Sequence, residues 1–120
     1  MGFFLDTYAL IEIAGGNPSY REFADEEAIT LKDNLAELYY FLLRKYDVES
    51  ARRFFDLFSK IAIDVPLAAI PKAMHFRHER KKSHFSYIDC LGYFTALEQK
   101  RIFVTGDRAF RSLAHTEVVR

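Results

Sequence analysis

Short apolar strands alternating with amphipathic helices predict an α/β fold, a three-layer α/β/α sandwich around a mostly parallel central sheet. Two observations carry this reading. Apolar runs at residues 2–5, at 102–104 and in the closing "EVV" are too short for helices, and the first two end in an acid or a turn. Between them, apolar residues recur at helical spacing through residues 31–46 and again through "SARRFFDLFSKIA". The chain has 120 residues, a length that predicts one domain spanning 1–120, and no linker, repeat or low-complexity stretch interrupts it.

The elements follow in order. Residues 2–5 read as a buried strand, and 7–14 as a helix stopped by Gly15, Gly16, Asn17 and Pro18. Residues 28–30 predict a second short strand, and 31–46 a long helix ending at the turn Asp47-Val48-Glu49-Ser50. Another helix follows, and "AIDVP" then predicts a third strand entering a turn at Pro66. Residues 67–82 read as a helix that becomes basic at its end, and 86–100 as a further helix. "RIFVTGD" is the clearest strand-to-turn signal, and a short helix from Arg108 and the "EVV" strand complete the order.

Lys plus Arg equals Asp plus Glu at 17 each, which argues against a uniformly basic nucleic-acid binder while leaving room for local patches. The single cysteine, Cys90, has no internal disulfide partner, so a reducing cytoplasm is the expected setting. No signal sequence or membrane-length apolar run is present, and the expectation is a soluble, cytoplasmic protein without membrane attachment. The 12 Phe and 7 Tyr imply either a Phe-rich core or rings on a surface meant for a partner.

Four carboxylates stand where structure alone does not ask for them. Asp6 follows the apolar run "FFL", and Asp107 repeats the pattern after "IFVTG". Ligand sites of open α/β sheets form at the carboxyl ends of strands, so two such acids converge if their strands are neighbours. The alternative is that each only caps the next helix. Glu37 sits in "NLAELYYFLLRKY", a helix apolar around most of its circumference, and needs a charge partner, hydrogen bonds or a metal there. Asp33, one turn earlier, adds a like charge. Asp89 lies three residues after Ser86, the spacing of a capping box, with Gly92 and Ala96 further along. Oxygen ligands in a cluster suit Mg²⁺ or Mn²⁺, and such a centre supports water activation and in-line phosphoryl displacement.

"FLDTYALIE", "NLAEL" and "FSYIDCLGYFTALEQKRIFVTGDRAF", in this order and spacing, resemble the PIN domain, most closely the VapC-type toxins of prokaryotic toxin–antitoxin pairs. The resemblance spans essentially the whole chain. It implies a small α/β sandwich with Mg²⁺- or Mn²⁺-dependent endoribonuclease activity. It places the catalytic, metal-holding acids at Asp6, Glu37, Asp89 and Asp107, with Thr7 and Thr105 as hydroxyls supporting them. It further implies an RNA substrate, a cognate VapB-like antitoxin and a homodimer. One departure is that Ala109 and Phe110 follow Arg108 where many members carry a further acid or Asn, which bears on a second metal position.

"MHFRHERKKSHF", residues 74–85, is the most positive segment, with Arg77, Arg80, Lys81 and Lys82 as candidate RNA contacts and Phe76 and Phe85 as candidate stacking rings. A solvated helix end is the structural alternative. His75, His78 and His84 lack the further ligands of a tetrahedral zinc site. Two other readings stand beside the nuclease. One is a catalytically silent PIN-fold module that binds RNA or protein. The other, an aspartyl-phosphate chemistry at Asp6, is weakened by Tyr8 where a second acid belongs.

Overall fold

A computed structural model describes residues 2–25 and 27–120. The predicted elements appear in the predicted order. Strand β1 is Phe3–Leu5, β2 Thr30–Leu31, β3 Ala62–Ile63, β4 Ile102–Thr105 and β5 Thr116–Val118. Helix α1 is Thr7–Ala14, α2 Lys32–Lys45, α3 Val48–Phe58, α4 Ala69–Glu79 and α5 Tyr87–Glu98.

All the strand pairings are parallel. β4 lies between β1 and β5, with Leu5 opposite Val104 and Val104 opposite Glu117. β2 pairs with β3. Ile29, just before β2, bridges Phe4, so the strands run in the order β3-β2-β1-β4-β5.

Successive strand residues face opposite ways, and the core divides accordingly. Leu5 and Val104 pack with Leu10, Leu38 and Phe58 in the layer built by α1, α2 and α3. Phe4 and Phe103 face the other layer, where Phe76, Cys90 and Tyr93 supply α4 and α5. Three layers result, as the apolar periodicities predict. Gly92 lets α5 lie close on the sheet, since a Cβ there would stand 3.2 Å from the Phe4 ring. That packing against the Phe4 and Phe103 rings accounts for the glycine.

The aromatic surplus is core in the main. Phe103 contacts Phe110 at a centroid distance of 4.8 Å, Phe85 contacts Phe110 at 4.7 Å, and Tyr39 meets Phe55 edge-on at 5.7 Å. Among the described residues, no helix is long and apolar enough to cross a membrane.

Candidate metal and nuclease site

The register of β1 and β4 builds the centre of the site. Leu5 lies opposite Val104, so the next residues along, Asp6 and Thr105, fall side by side at the carboxyl rim, and the Asp6 amide donates to the Val104 carbonyl at 3.2 Å. Asp107 follows Thr105 by two residues, and its amide donates to Thr105 Oγ1 at 3.0 Å. The expected convergence of the two strand ends therefore occurs.

Asp6 and Asp107 are both caps as well. The Ala9 amide donates to Asp6 Oδ1 at 2.8 Å, starting α1, and the Ala109 amide donates to Asp107 Oδ1 at 2.9 Å, starting a short 3₁₀ turn at Arg108–Phe110. Asp89 completes the capping box of α5. The Ser86 amide donates to Asp89 Oδ2 at 2.9 Å, and the Asp89 amide donates to Ser86 Oγ at 3.1 Å. Capping and a further role do not compete, because each cap engages one carboxylate oxygen. Among the described residues, Asp89 Oδ1 and Asp107 Oδ2 accept no hydrogen bond.

Glu37 finds its partner at long range. Thr7 Oγ1 donates to Glu37 Oε1 at 2.5 Å, and Asn34 Nδ2 donates to Thr7 Oγ1 at 3.0 Å. Asn34 is 2% exposed and also accepts from the Leu31 amide at 3.2 Å, so one side chain starts α2 and fixes Thr7. The relay Asn34–Thr7–Glu37 ties the α2 side of the site to the residue after Asp6. Sequence reasoning missed Asn34, although its position one turn before Glu37 on the same helical face is the signal that would have found it.

The electrostatics mark the three acids at or near the β1–β4 rim as one group. Burial pushes the Asp6 carboxyl from its ordinary 3.8 up to about 7. Hydrogen bonds from Thr105 and Ala9 pull against that rise, and the charges of Asp89 and Asp107 add to it. Asp89 is also raised, first by burial and then by Asp107, against the stabilising bonds from Ser86. Like charges gathered around a desolvated carboxylate leave the group short of positive charge.

A divalent cation fits that deficit on chemistry. Every donor is a carboxylate oxygen, the ligand type hard cations take. Among the described residues, no three His, Cys, Asp or Glu side chains are already arranged to hold a metal ion. Mg²⁺ commonly takes only one or two carboxylates and keeps several waters, so a ready-made cage is not what such an ion requires.

The basic segment differs from its expected role in one respect. Phe76 and Phe85 are each 9% exposed, packed against one another and against Phe94 and Phe110, so neither ring is free to stack on a base. Phe76 is on the inward face of α4, and Phe85 is buried in the segment that follows it. Arg77 lies over the Tyr87 ring at 3.9 Å and Arg80 over Phe76 at 4.1 Å, while Lys81 and Lys82 are exposed. Both arginines pull the Cys90 thiol down, against the larger rise from its burial. Cys90 itself is 1% exposed and its thiol is pushed up by burial, the state of a core residue.

Fold and acid placement define a class: a small parallel α/β protein with an acidic centre at the carboxyl rim of its sheet. Residues 3–116 match the model of the PIN domain, and the chain belongs to that family. PIN domains are typically nucleases and generally use divalent metals. Solved structures share the fold over nearly the full length. VapC20 of Mycobacterium tuberculosis, described as a sarcin–ricin-loop-cleaving toxin, is 13% identical with a TM-score of 0.78, covering 99% of this chain and 100% of that one. VapBC2 of Rickettsia felis, solved with a DNA fragment from its promoter, is 20% identical with a TM-score of 0.77 and full coverage of both chains at 100%. A toxin–antitoxin complex from Klebsiella pneumoniae is 15% identical with a TM-score of 0.76, covering 98% and 96%. No curated protein matches the sequence.

Proposed function

We propose that the chain is a divalent-metal-dependent endoribonuclease, the toxin of a toxin–antitoxin pair, hydrolysing RNA phosphodiester bonds. The observation that carries the reading is the Asp6 carboxylate, placed by the β1–β4 register next to Thr105 and raised first by its burial, then by the charges of Asp89 and Asp107. Asp6, Glu37, Asp89 and Asp107 are the residues that would hold Mg²⁺ or Mn²⁺. When bound, such an ion lowers the pKa of water and offsets charge building up on the phosphodiester.

The chain's own residues do the positioning. The Ala9 amide fixes the Asp6 carboxylate, Thr105 Oγ1 holds the Asp107 amide, and Thr7 fixes Glu37. Burial raises the Asp6 carboxyl in the metal-free chain, and a cation held there would restore its charged form. Arg77, Arg80, Lys81 and Lys82 remain candidate RNA contacts, with the two lysines exposed.

An antitoxin is the expected partner. The structural neighbours include toxin–antitoxin complexes, and a groove of about 320 Å³ between α1, α2 and α3, lined by Ile11, Phe41, Tyr46 and Phe54 among others, suits an amphipathic peptide. The family resemblance adds a homodimer, which sedimentation would read directly.

The test is cleavage of a mixed structured-RNA pool with Mn²⁺ or Mg²⁺, wild type beside Asp6→Asn, with EDTA as control. Metal-dependent cutting that Asp6→Asn lacks is the expected result. Equal cutting by both proteins would place the activity elsewhere. No cutting by folded, metal-supplied wild type across many RNAs would favour a silent binding module.

A further inference from the structure

The strongest concave feature next to the acidic centre is one that the charge density of the sequence does not reveal. A groove of about 580 Å³ opens at the carboxyl rim, lined chiefly by Tyr8, Gly106, Arg108, Arg111, Val119 and Arg120. Its residues flank the site in sequence: Tyr8 follows Asp6 by two positions, and Gly106 and Arg108 enclose Asp107.

Local structure sets the arginines on one side. Arg108 opens the 3₁₀ turn and Arg111 caps it, and at about three residues per turn they stack on a single face. Phe110, between them in sequence, is 1% exposed and anchors the turn against Phe103, which turns Arg108 and Arg111 outward. Among the described residues, neither of them nor Arg120 has an acidic partner within ion-pair distance. Three uncompensated positive charges beside three mutually repelling carboxylates make a dipolar surface, acid at one end and base at the other.

Tyr8 supplies the second element. Its ring is 48% exposed, yet it is seated: a Cβ on Gly106 would run into the Tyr8 ring and lie 2.6 Å from the Tyr20 hydroxyl. Only a residue without a side chain lets the ring lie against this turn. A fixed, half-exposed aromatic next to a cationic groove is the combination that stacks one unpaired base and tracks its phosphates.

We propose that the groove between Tyr8 and the arginines Arg108, Arg111 and Arg120 is the RNA-backbone subsite, taking the phosphates of a single-stranded segment on one side of the scissile bond while Tyr8 stacks a flanking base. The inference rests on the nuclease reading for its polarity, since it runs the strand from the arginines towards Asp107 and Asp6. It relocates the main RNA contact from residues 77–82 to the β4–β5 rim.

The test is fluorescence anisotropy of a labelled single-stranded RNA in EDTA across a salt series. Arg108→Gln/Arg111→Gln is compared with wild type and with Lys60→Gln/Lys100→Gln, a charge-matched control at the opposite rim. The arginine variant should bind about tenfold more weakly at low salt and flatten the salt slope by about 1.4, with the control unchanged. Tyr8→Ala should lose about fivefold or more, and Tyr8→Phe should bind as wild type. Thermal melts of each variant establish that it is folded. Wild-type affinity and slope in both the arginine variant and Tyr8→Ala would overturn the proposal. So would arginine-dependent binding of polyglutamate with RNA binding intact, which would assign the groove to an acidic protein segment. A Mn²⁺ cleavage arm separates the two readings. Wild type that binds through the groove yet cuts nothing retires the nuclease and keeps the subsite. Wild type that cuts, matched by an arginine variant that cuts and binds equally, retires the subsite and keeps the nuclease.

Discussion

Asp6 and Asp107 follow apolar strands, cap the helical turn behind them and give one carboxylate oxygen to that cap. Their surroundings differ. Asp6 is 6% exposed and its carboxyl is raised to about 7, whereas Asp107 stands in solvent. What comes next in the chain makes the difference. Asp6 is followed by α1, whose Ala9 and Leu10 are fully buried and draw the helix down over the strand end. Asp107 is followed by a 3₁₀ turn anchored by Phe110 alone. The same strand–acid–cap pattern thus yields one desolvated carboxylate and one open to ligands, and the pair together make a centre that is both tightly held and accessible.

The largest effect expected from this contrast is on activity. Asp6→Ala and Asp107→Ala should each reduce metal-dependent RNA cleavage at least about a hundredfold in initial-rate assays, despite their different burial. Survival of activity in Asp107→Ala alone would assign the chemistry to the buried end.

Stability separates the two acids next. The Asp6 carboxyl titrates at about 7 in the folded chain against an ordinary 3.8. Between those values the folded state holds the extra proton, so its contribution is full below the lower value and is lost as pH rises through the upper one. The ceiling is roughly 4 kcal/mol. In EDTA, Asp6→Asn should gain about 3 kcal/mol on wild type as pH goes from 4.5 to 8.5, read by urea denaturation, and an unpaired substitute amide would lower the variant equally at both ends. Asp107→Asn should stay within the scatter of surface substitutions. Mn²⁺ should raise the wild-type melting temperature at pH 8 and leave that of Asp6→Asn unmoved.

Gly106→Ala probes the open end. The added methyl meets Tyr8 and Tyr20, an overpacking cost of about 1–3 kcal/mol, and Tyr8→Ala in the same chain should recover part of it in a double-mutant cycle. Ser86→Ala, which removes half of the α5 capping box, should cost about 1 kcal/mol in thermal melts.

Much of this was legible in the sequence because it is local. The order of strands and helices, the caps at Asp6 and Asp107 and the Ser86–Asp89 box each lie within a few residues of chain. The partner of Glu37 was not, because Thr7 lies 30 residues away and becomes adjacent only once β1 and β2 come together. The basic groove escaped for a similar reason: Tyr8, Arg108, Arg111 and Arg120 are brought together by the sheet, while the dense run at 74–85 turns two of its rings inward and lays two of its arginines on aromatic faces.

The sheet's two halves meet at Ile29. Its amide donates to the Phe3 carbonyl and its carbonyl accepts from the Leu5 amide, both at 2.9 Å, and Thr30 Oγ1 adds a bond to the Leu5 carbonyl at 2.6 Å. Beyond this narrow seam lie β2, β3 and α2, which carries Glu37. Separating Glu37 from Asp6 along the seam also breaks the Asn34–Thr7–Glu37 bonds and parts Leu38 from Leu5, so such an opening involves the shared helical core. The Leu5 and Ile29 amides should therefore exchange with deuterium together, ahead of those between β1 and β4, and the rate of that opening sets how often the fourth acid is out of place.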